Sequence, residues 1–370
     1  MVEASGCTDV RFMARALHLA RHGRYTTKPN PQVGCVLVKE GVIVGEGCHK
    51  RAGEAHAEIE ALRIAGADAR DATAYVTLEP CCHYGRTAPC SDALIRAGVC
   101  RVVAAMADPN PKVAGNGLKS LATAGIETVC GVLRSEAEKL NRGFCKRMRS
   151  GLPFVFSKVA TSLDGRTAMA SGKSQWITSE AARQDVHRLR AGCSAILTGI
   201  DSVIADDPSL TARLDQAAGD IVQPLRVIAD SMLRTPPESR MTRLPGTSLI
   251  VTASTDRQKR SRLEQAGFEV VRLPADECGR VHLPSLLDHL ARREVNDVMV
   301  EAGAVLNGAL LQAGLVDELV VYMAPSLLGD QGRGAFHLPG LAKLSDRIEL
   351  RLLDARRVGV ELRLRCQVDR

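Results

Sequence analysis

The sequence predicts an α/β protein built from two layered domains, and three observations carry that prediction. At 370 residues with 45% apolar content, the chain exceeds the usual range of one domain and can fill two cores. Strand-like and helix-like segments alternate along both halves, the order that layered α/β folds produce. Between the halves, "GFCKRMRSGLP" (residues 143–153) is basic, glycine-bounded and weakly periodic, which places the boundary there, with domains over 1–147 and 148–370.

The elements follow in chain order. Phe12, Met13, Ala16, Leu17 and Ala20 recur at helical spacing, with Asp9 as the expected cap and Gly23 as the stop. "NPQVGCVLV" reads as a turn and a buried strand, "GVIVGEG" as its hairpin partner, and "HAEIEALRIAG" as a helix that Gly66 ends. "ATAYVTLEP" is the next strand, Pro89 suits the start of the helix "PCSDALIRAG", and "CRVVAAM" is a strand again. The second half continues with strands "FVFSKVATS", "AILTGI", "LRVIAD", "SLIVTA", "DVMVEAG" and "ELVVYMA", alternating with helical segments such as "SEAARQDVHRLRAG" and "LNGALLQAG".

Composition narrows the function classes. A formal charge of +7 without arginine or lysine runs fits anionic small molecules better than a polyanion. The cysteines are scattered except for Cys81, Cys82 and Cys90, and the chain is too long for a disulfide scaffold, so most are expected to be reduced core residues. No signal-peptide core opens the sequence and no apolar run approaches the span of a bilayer, so a soluble, cytoplasmic protein is expected.

The chemistry concentrates in two stretches. His56, Ala57 and Glu58 open a helix; residues two apart cannot face one object beside it, but something off its end touches both. This suits His56 as a metal ligand and Glu58 as the group that reaches a metal-held water. The zinc deaminase pattern is H-x-E followed by P-C-x-x-C, with the glutamate as proton shuttle and not as ligand. Here Pro80 and Cys81 end a strand, and Cys90 begins a helix after an inserted "CHYGRTAP". The helix's positive end favours the Cys90 thiolate. Adjacent Cys81 and Cys82 point to opposite faces when extended, so one of them reaches the site, and Cys81 follows proline as the pattern requires. A His-Cys-Cys set leaves a fourth tetrahedral position for water, whereas a closed structural site needs a fourth ligand, for which His83 is the local candidate.

With "NPQVGCVLV", "HAEIEALRIAG", "AYVTLEPCCHYGRTAPCSDALIRAGV", "DPNPKVAGNG" and "SLDGRTAMASGKSQWITS", the sequence resembles the bifunctional deaminase/reductase family of riboflavin biosynthesis across almost its whole length. The resemblance implies a cytidine-deaminase-like first domain and a dihydrofolate-reductase-like second one. It implies Zn2+ on His56, Cys81 and Cys90, with Glu58 as proton donor; Cys82 stands where the family often has serine. Its activities are hydrolytic deamination of a diaminopyrimidinone ribosyl phosphate, then reduction of the ribosyl group to ribityl by NADPH. In the second domain it implies NADP contacts at Ala160, Trp176, Ser202 and Asp206, and at Gly303, Ala304, Val305, Leu306, Asn307, Gly308 and Ala309. It implies substrate contacts at Ser174, Arg190, Leu210, Arg213 and Glu301, the arginines suiting a phosphate.

Residue chemistry adds less specific expectations. His83 and Arg86 in the inserted loop can meet ribose or phosphate, and Asn30 can hold sugar or base, although Asn-Pro is also an ordinary turn. Lys158 and Asp206 can influence proton delivery, with a surface salt bridge as the plainer role. "VMVEAGAVLNGALLQAG" lacks both G-x-G-x-x-G and a P-loop lysine, so its glycine turn is a weak phosphate signal by itself. The expected partner is a phosphorylated pyrimidine, with no nucleic acid and no membrane; a homo-oligomer is compatible with the sequence. The competing readings are a tRNA or nucleic-acid base deaminase with an accessory domain, and a zinc-stabilised binding module. The first would call for an aromatic, cationic groove, which 3% aromatic content argues against.

Overall fold

The computed structural model describes residues 2–82, 89–111, 113–214 and 220–369, with side chains from Cys7 onward. It divides into two compact units, Met1–Gly151 and Leu152–Arg370. The division falls after the boundary expected at 147/148. The basic stretch there is a helix (Arg142–Ser150) whose Phe144 and Cys145 are buried in the core of the first unit.

The first unit runs α1 (Val2–Ala20), β1 (Gly34–Lys39), β2 (Val42–Cys48), α2 (Ala57–Ala65), β3 (Thr73–Val76), α3 (Cys90–Ala97), β4 (Arg101–Ala104), α4 (Asn116–Thr123), β5 (Glu127–Cys130), α5 (Arg134–Leu140) and α6 (Arg142–Ser150). Its sheet has the order β2-β1-β3-β4-β5, with β1 antiparallel to both neighbours and β3, β4 and β5 parallel. Alternation along β1 sorts the two faces. Val36 and Val38 join Phe12, Met13 and Ala16 of α1 with Phe144 of α6, while Cys35 and Leu37 join Ala57 and Ala61 of α2, Leu94 of α3 and Leu121 of α4. Gly47 lets α2 lie directly on β2: a Cβ there would stand 2.2 Å from the Ala57 carbonyl oxygen. This contact fixes the start of α2, where His56 sits.

Asp9 does not cap α1. The helix starts earlier, at Val2, and Asp9 is buried inside it, paired with Arg101 through Nη1–Oδ1 at 2.8 Å and Nη2–Oδ2 at 2.9 Å. It also accepts the Tyr75 hydroxyl at 2.8 Å. Cross-sheet partners claim the carboxylate that local spacing offered to the backbone. The cysteine expectation changes too. All are free thiols, but among them only Cys35, Cys48, Cys90, Cys145 and Cys193 are buried, and Cys7, Cys100, Cys130 and Cys278 are exposed.

The second unit runs β6 (Phe154–Ser162), β7 (Arg166–Ala168), α7 (Glu180–Gly192), β8 (Ala195–Gly199), α8 (Ile200–Asp206), β9 (Leu225–Ala229), β10 (Ser248–Thr252), α9 (Arg257–Gln265), β11 (Glu269–Arg272), α10 (Leu283–Arg292), β12 (Asp297–Val300), α11 (Ala304–Gln312), β13 (Glu318–Ala324), β14 (Arg333–Gly334), β15 (Leu350–Val358) and β16 (Glu361–Val368). The main sheet is ordered β11-β10-β9-β8-β12-β6-β13-β16-β15. It is parallel from β11 to β13, and its last two strands join antiparallel. Leucines of α10 and α11 cover one face, and apolar residues of α7, α8 and α9 the other. The antiparallel pair went unforeseen because β15 is mostly exposed and its arginines mask the alternation. Among the described residues no helix is long and apolar enough to cross a membrane.

Asp9 generates a stability prediction. Its pKa is lowered, by the Arg101 hydrogen bond first and against the cost of burial, so its contribution is complete above the ordinary aspartate range and lost as pH falls through the lowered value. Asp9→Asn should cost about 2–3 kcal/mol at neutral pH, measured by denaturant unfolding, and the deficit should shrink in strong acid. Equal stability of the two proteins at pH 7 would show that the pair contributes nothing net.

Candidate functional site

In the first unit the start of α2, the chain after β3 and the start of α3 converge. His56 is the extended N-cap of α2, and Cys90 is the first residue of α3, following Pro89 at its N-cap. His56, Cys81 and Cys90 offer ligand atoms that all lie within 4.8 Å of one another, the one such group among the described residues. His56 Nδ1 is 3.3 Å from Cys90 Sγ and 3.6 Å from Cys81 Sγ. The Cys90 N–H donates to Cys81 Sγ at 3.4 Å. One imidazole nitrogen and two sulfurs in a part-buried corner fit Zn2+. Cys82 is outside the group. His83 and Arg86 lie outside the described residues.

The corner's electrostatics follow from crowding acids and thiols out of water. Burial pushes Glu58 up to about 7, and the nearby Cys81 adds to this while His56 opposes it. The two thiols share one proton: Cys81 is lowered to about 4, first by the hydrogen bond from Cys90, and Cys90 is correspondingly raised. His56 is raised, chiefly by its hydrogen bond to Cys81. A divalent cation on these atoms would take the place of that proton and favour both thiolates.

Two further features were not singled out from sequence. His49 is buried and packs edge-on against His56, with ring centroids 5.4 Å apart. Its Nδ1 lies 3.0 Å from the Ala55 carbonyl and its Nε2 3.1 Å from Asn30 Nδ2, so Asn30 and Ala55 bracket a histidine whose pKa burial lowers. The second is Asp108, pushed up to about 6 by burial, with Glu79 and Cys81 adding to the rise. Asp108 opens the "DPNPKVAGNG" stretch, but its place beside the corner depends on the return of the chain after β4, which that stretch alone does not announce.

In the second unit Arg190 of α7 and Glu301, just past β12, form a bidentate pair, with Nε–Oε1 at 2.5 Å and Nη2–Oε2 at 2.8 Å. Arg190 also donates to the Thr211 carbonyl at 3.2 Å. Burial works against the Glu301 charge, but Arg190 and then Lys158 outweigh it and its pKa is lowered. Lys158 is half-buried and lies within electrostatic reach of Glu301 and Arg190. Burial lowers its pKa, against the pull of Glu301 and with the push of Arg190. His187 is lowered to about 4, by burial and then by Arg190 and Arg213. Its Nδ1 accepts the Arg213 N–H at 3.3 Å, and its Nε2 is 3.1 Å from Arg213 Nη2. Leu210, nearby in sequence, is buried with φ of 46°, in the left-handed region that residues other than glycine seldom adopt.

The residues expected at NADP divide into groups. Gly303 caps α11 and comes close to Ser202, whose Oγ would stand 3.9 Å from a Cβ on that glycine. Both follow the carboxyl ends of neighbouring strands β12 and β8, where the chain order of the parallel sheet reverses, the place where open α/β sheets bind dinucleotides. Gly303 and Val305 are exposed and Ala304 and Leu306 half-buried, so the start of α11 presents free amides that suit a phosphate. Asn307 and Gly308 are buried instead: Asn307 bridges Ser157 at 2.8 Å and the Ala302 carbonyl at 2.7 Å, and a Cβ at Gly308 would strike the His337 carbonyl. Ala309 lies half-buried and Asp206 exposed. Ala160 pairs with Tyr322. Trp176 is 72% exposed under the Arg183 guanidinium, 4.6 Å from its ring centroid, a placement open to a ligand and unlike a core tryptophan. Ser174 lies half-buried in the same segment.

Comparison with known proteins agrees with both units. The family described as RibD C-terminal domain matches residues 153–364, and the cytidine and deoxycytidylate deaminase zinc-binding region matches residues 7–106. The riboflavin biosynthesis protein RibD of Escherichia coli is 53% identical, with 96% of this chain and 98% of the relative covered; that of Haemophilus influenzae is 50% identical, covering 96% of each. Among solved structures, Acinetobacter baumannii RibD superposes with a TM-score of 0.91 at 45% identity, over 99% of this chain and 100% of that one. The Thermotoga maritima diaminohydroxyphosphoribosylaminopyrimidine deaminase/5-amino-6-(5-phosphoribosylamino)uracil reductase gives 0.86 at 31% identity over 99% and 100%. With both regions matched in order and the likeness spanning nearly every residue, the chain belongs to the RibD family of riboflavin biosynthesis proteins.

Proposed function

We propose that this chain catalyses two steps of riboflavin biosynthesis: hydrolytic deamination of 2,5-diamino-6-(5-phosphoribosylamino)pyrimidin-4(3H)-one, then NADPH-dependent reduction of the ribosyl group of 5-amino-6-(5-phosphoribosylamino)uracil to ribityl. The observation that carries the reading is the convergence of His56, Cys81 and Cys90 beside the buried Glu58, in a chain whose other half matches the RibD C-terminal domain. That match leaves no support for an unrelated accessory domain on a nucleic-acid deaminase.

In the first unit His56, Cys81 and Cys90 would hold Zn2+, which supplies the Lewis acidity that makes water nucleophilic near neutral pH. Glu58, shifted to about 7 by its burial, is matched to taking a proton from the attacking water and returning it to the departing amine. Water adds at the ring carbon bearing the 2-amino group, the C–N bond breaks and ammonia leaves. In the second unit bound NADPH supplies the hydride. Arg213 donates from Nη1 to the Thr211 hydroxyl at 3.3 Å, keeps further guanidinium donors and suits the substrate phosphate. Arg190 and Glu301 hold each other rigidly, so Glu301 can orient ribose hydroxyls without swinging.

Glu58→Gln should lower the rate of ammonia release by about a thousandfold while zinc content, measured by atomic absorption, stays at the wild-type level. NADPH oxidation with the deaminated intermediate should persist. Loss of both activities together would count against two separate centres. Cys82→Ser should keep zinc and deamination, whereas Cys81→Ser and Cys90→Ser should each lose the metal; zinc loss in the Cys82 variant would mean that the wrong thiol has been assigned. Arg213→Ala should raise KM for the phosphorylated uracil by at least about tenfold with a smaller change in kcat, and an unchanged KM in steady-state assays would remove the phosphate role.

A further inference from the structure

Glu79 is 3% exposed, two residues before Cys81, and has no role in the chemistry proposed above. Its carboxylate is saturated by backbone donors. Oε2 accepts the N–H groups of Asp108 and Gly115, each at 2.9 Å, and Oε1 those of Gly117 at 2.9 Å and Leu118 at 3.2 Å. Two of these donors belong to the first turn of α4, where amides lack partners within the helix and the dipole favours an anion. The backbone of Glu79 is itself fixed, its N–H donating to the Met106 carbonyl at 2.9 Å.

The same segment presses on the ligand corner directly. A Cβ at Gly117 would stand 2.0 Å from the Pro80 carbonyl oxygen, so this glycine permits the segment to lie against the peptide that leads into Cys81. The Cys81 carbonyl in turn accepts the Ser91 N–H at 3.1 Å, joining the corner to the first turn of α3. Pro80 and Cys81 belong to no strand or helix, so no sheet ladder holds them. Their position is set by Glu79 on one side and α3 on the other.

We propose that Glu79 is a positioning residue of the deaminase centre: by tying residues 108–111 and 113–118 to the chain that carries Cys81, it fixes where that sulfur stands relative to His56 and Cys90. The inference rests on the zinc-deaminase reading, and it predicts an effect on metal affinity that does not depend on turnover. A carboxylate is required because it alone presents acceptors to all four amides. Glutamine would set an NH2 group against N–H donors and leave some of them unpaired.

The test compares the full-length chain with Glu79→Gln, Gly117→Ala and Asp9→Asn. Zinc affinity is measured by competition with a chromogenic chelator, and deamination by ammonia release. Glu79→Gln should weaken zinc binding by about tenfold or more and lower kcat/KM for deamination at least in proportion. Gly117→Ala keeps the carboxylate but pushes the segment off Pro80, and should weaken zinc in the same direction. Asp9→Asn loosens the same unit away from the corner and should leave zinc affinity at the wild-type value. Zinc affinity within about twofold of wild type in both Glu79→Gln and Gly117→Ala, or an equal fall in Asp9→Asn, would overturn the proposal. A wild-type protein that binds zinc but releases no ammonia would remove the deaminase reading, and the affinity comparison would still decide the role of Glu79.

Discussion

Three donor atoms from three separate segments must meet in one part-buried corner, and most of the first unit can be understood as what brings them there. An imidazole on a helix N-cap and a thiol on a helix's first residue converge only when both helices begin at the same edge of the sheet. β2 and β3 both run antiparallel to β1 and so point the same way, and the helices that follow them, packed on one face, start at that edge. The close approach of α2 to β2 at Gly47 removes slack that a bulkier residue would introduce. The helix start favours a thiolate, but not the one expected from sequence: the first amide of α3 donates to Cys81 Sγ, and the proton the two sulfurs share stays on Cys90. The Glu58 carboxyl shows the opposite effect: deep burial disfavours its charge and brings its pKa up to about 7, where both protonation states are accessible.

The second unit handles charge by pairing. Lys158, Arg190 and Glu301 lie within reach of one another, with Arg213 and His187 beside them. One carboxylate does not neutralise three cations. The imbalance is reduced by keeping His187 uncharged, and what remains positive is suited to an anionic group of a ligand. The parallel sheet supplies the complementary part, a helix start at a reversal of strand order. Both units therefore place chemistry at the ends of sheet strands and on helix N-termini, although their sheets differ in order and strand direction.

Much of this was legible in sequence where the signal is local. Helical spacing located α2, proline and cysteine located the start of α3, and H-x-E with P-C and P-C picked out the group that the fold brings within 4.8 Å. What escaped depends on distant partners. Asp9 looked like a cap because Arg101 and Tyr75, its real partners, lie far along the chain. Lys158 looked like a surface ion because Glu301 and Arg190, the charges that act on it, come from distant segments. Glu79 was passed over as a strand end, since its four donors come from a segment that returns after β4. Asn307 and Gly308 carried a family expectation of cofactor contact, while their side-chain space is taken up by Ser157, Ala302 and His337.

The central claim is an open zinc centre with three protein donors. X-ray absorption at the zinc edge of the zinc-loaded protein tests it directly, because sulfur and nitrogen donors scatter differently and imidazole leaves its own multiple-scattering pattern. The account predicts two sulfurs at about 2.3 Å and a single imidazole, with one position left to a non-protein ligand. A second imidazole, a third sulfur, or a zinc coordinated only by oxygen would contradict it.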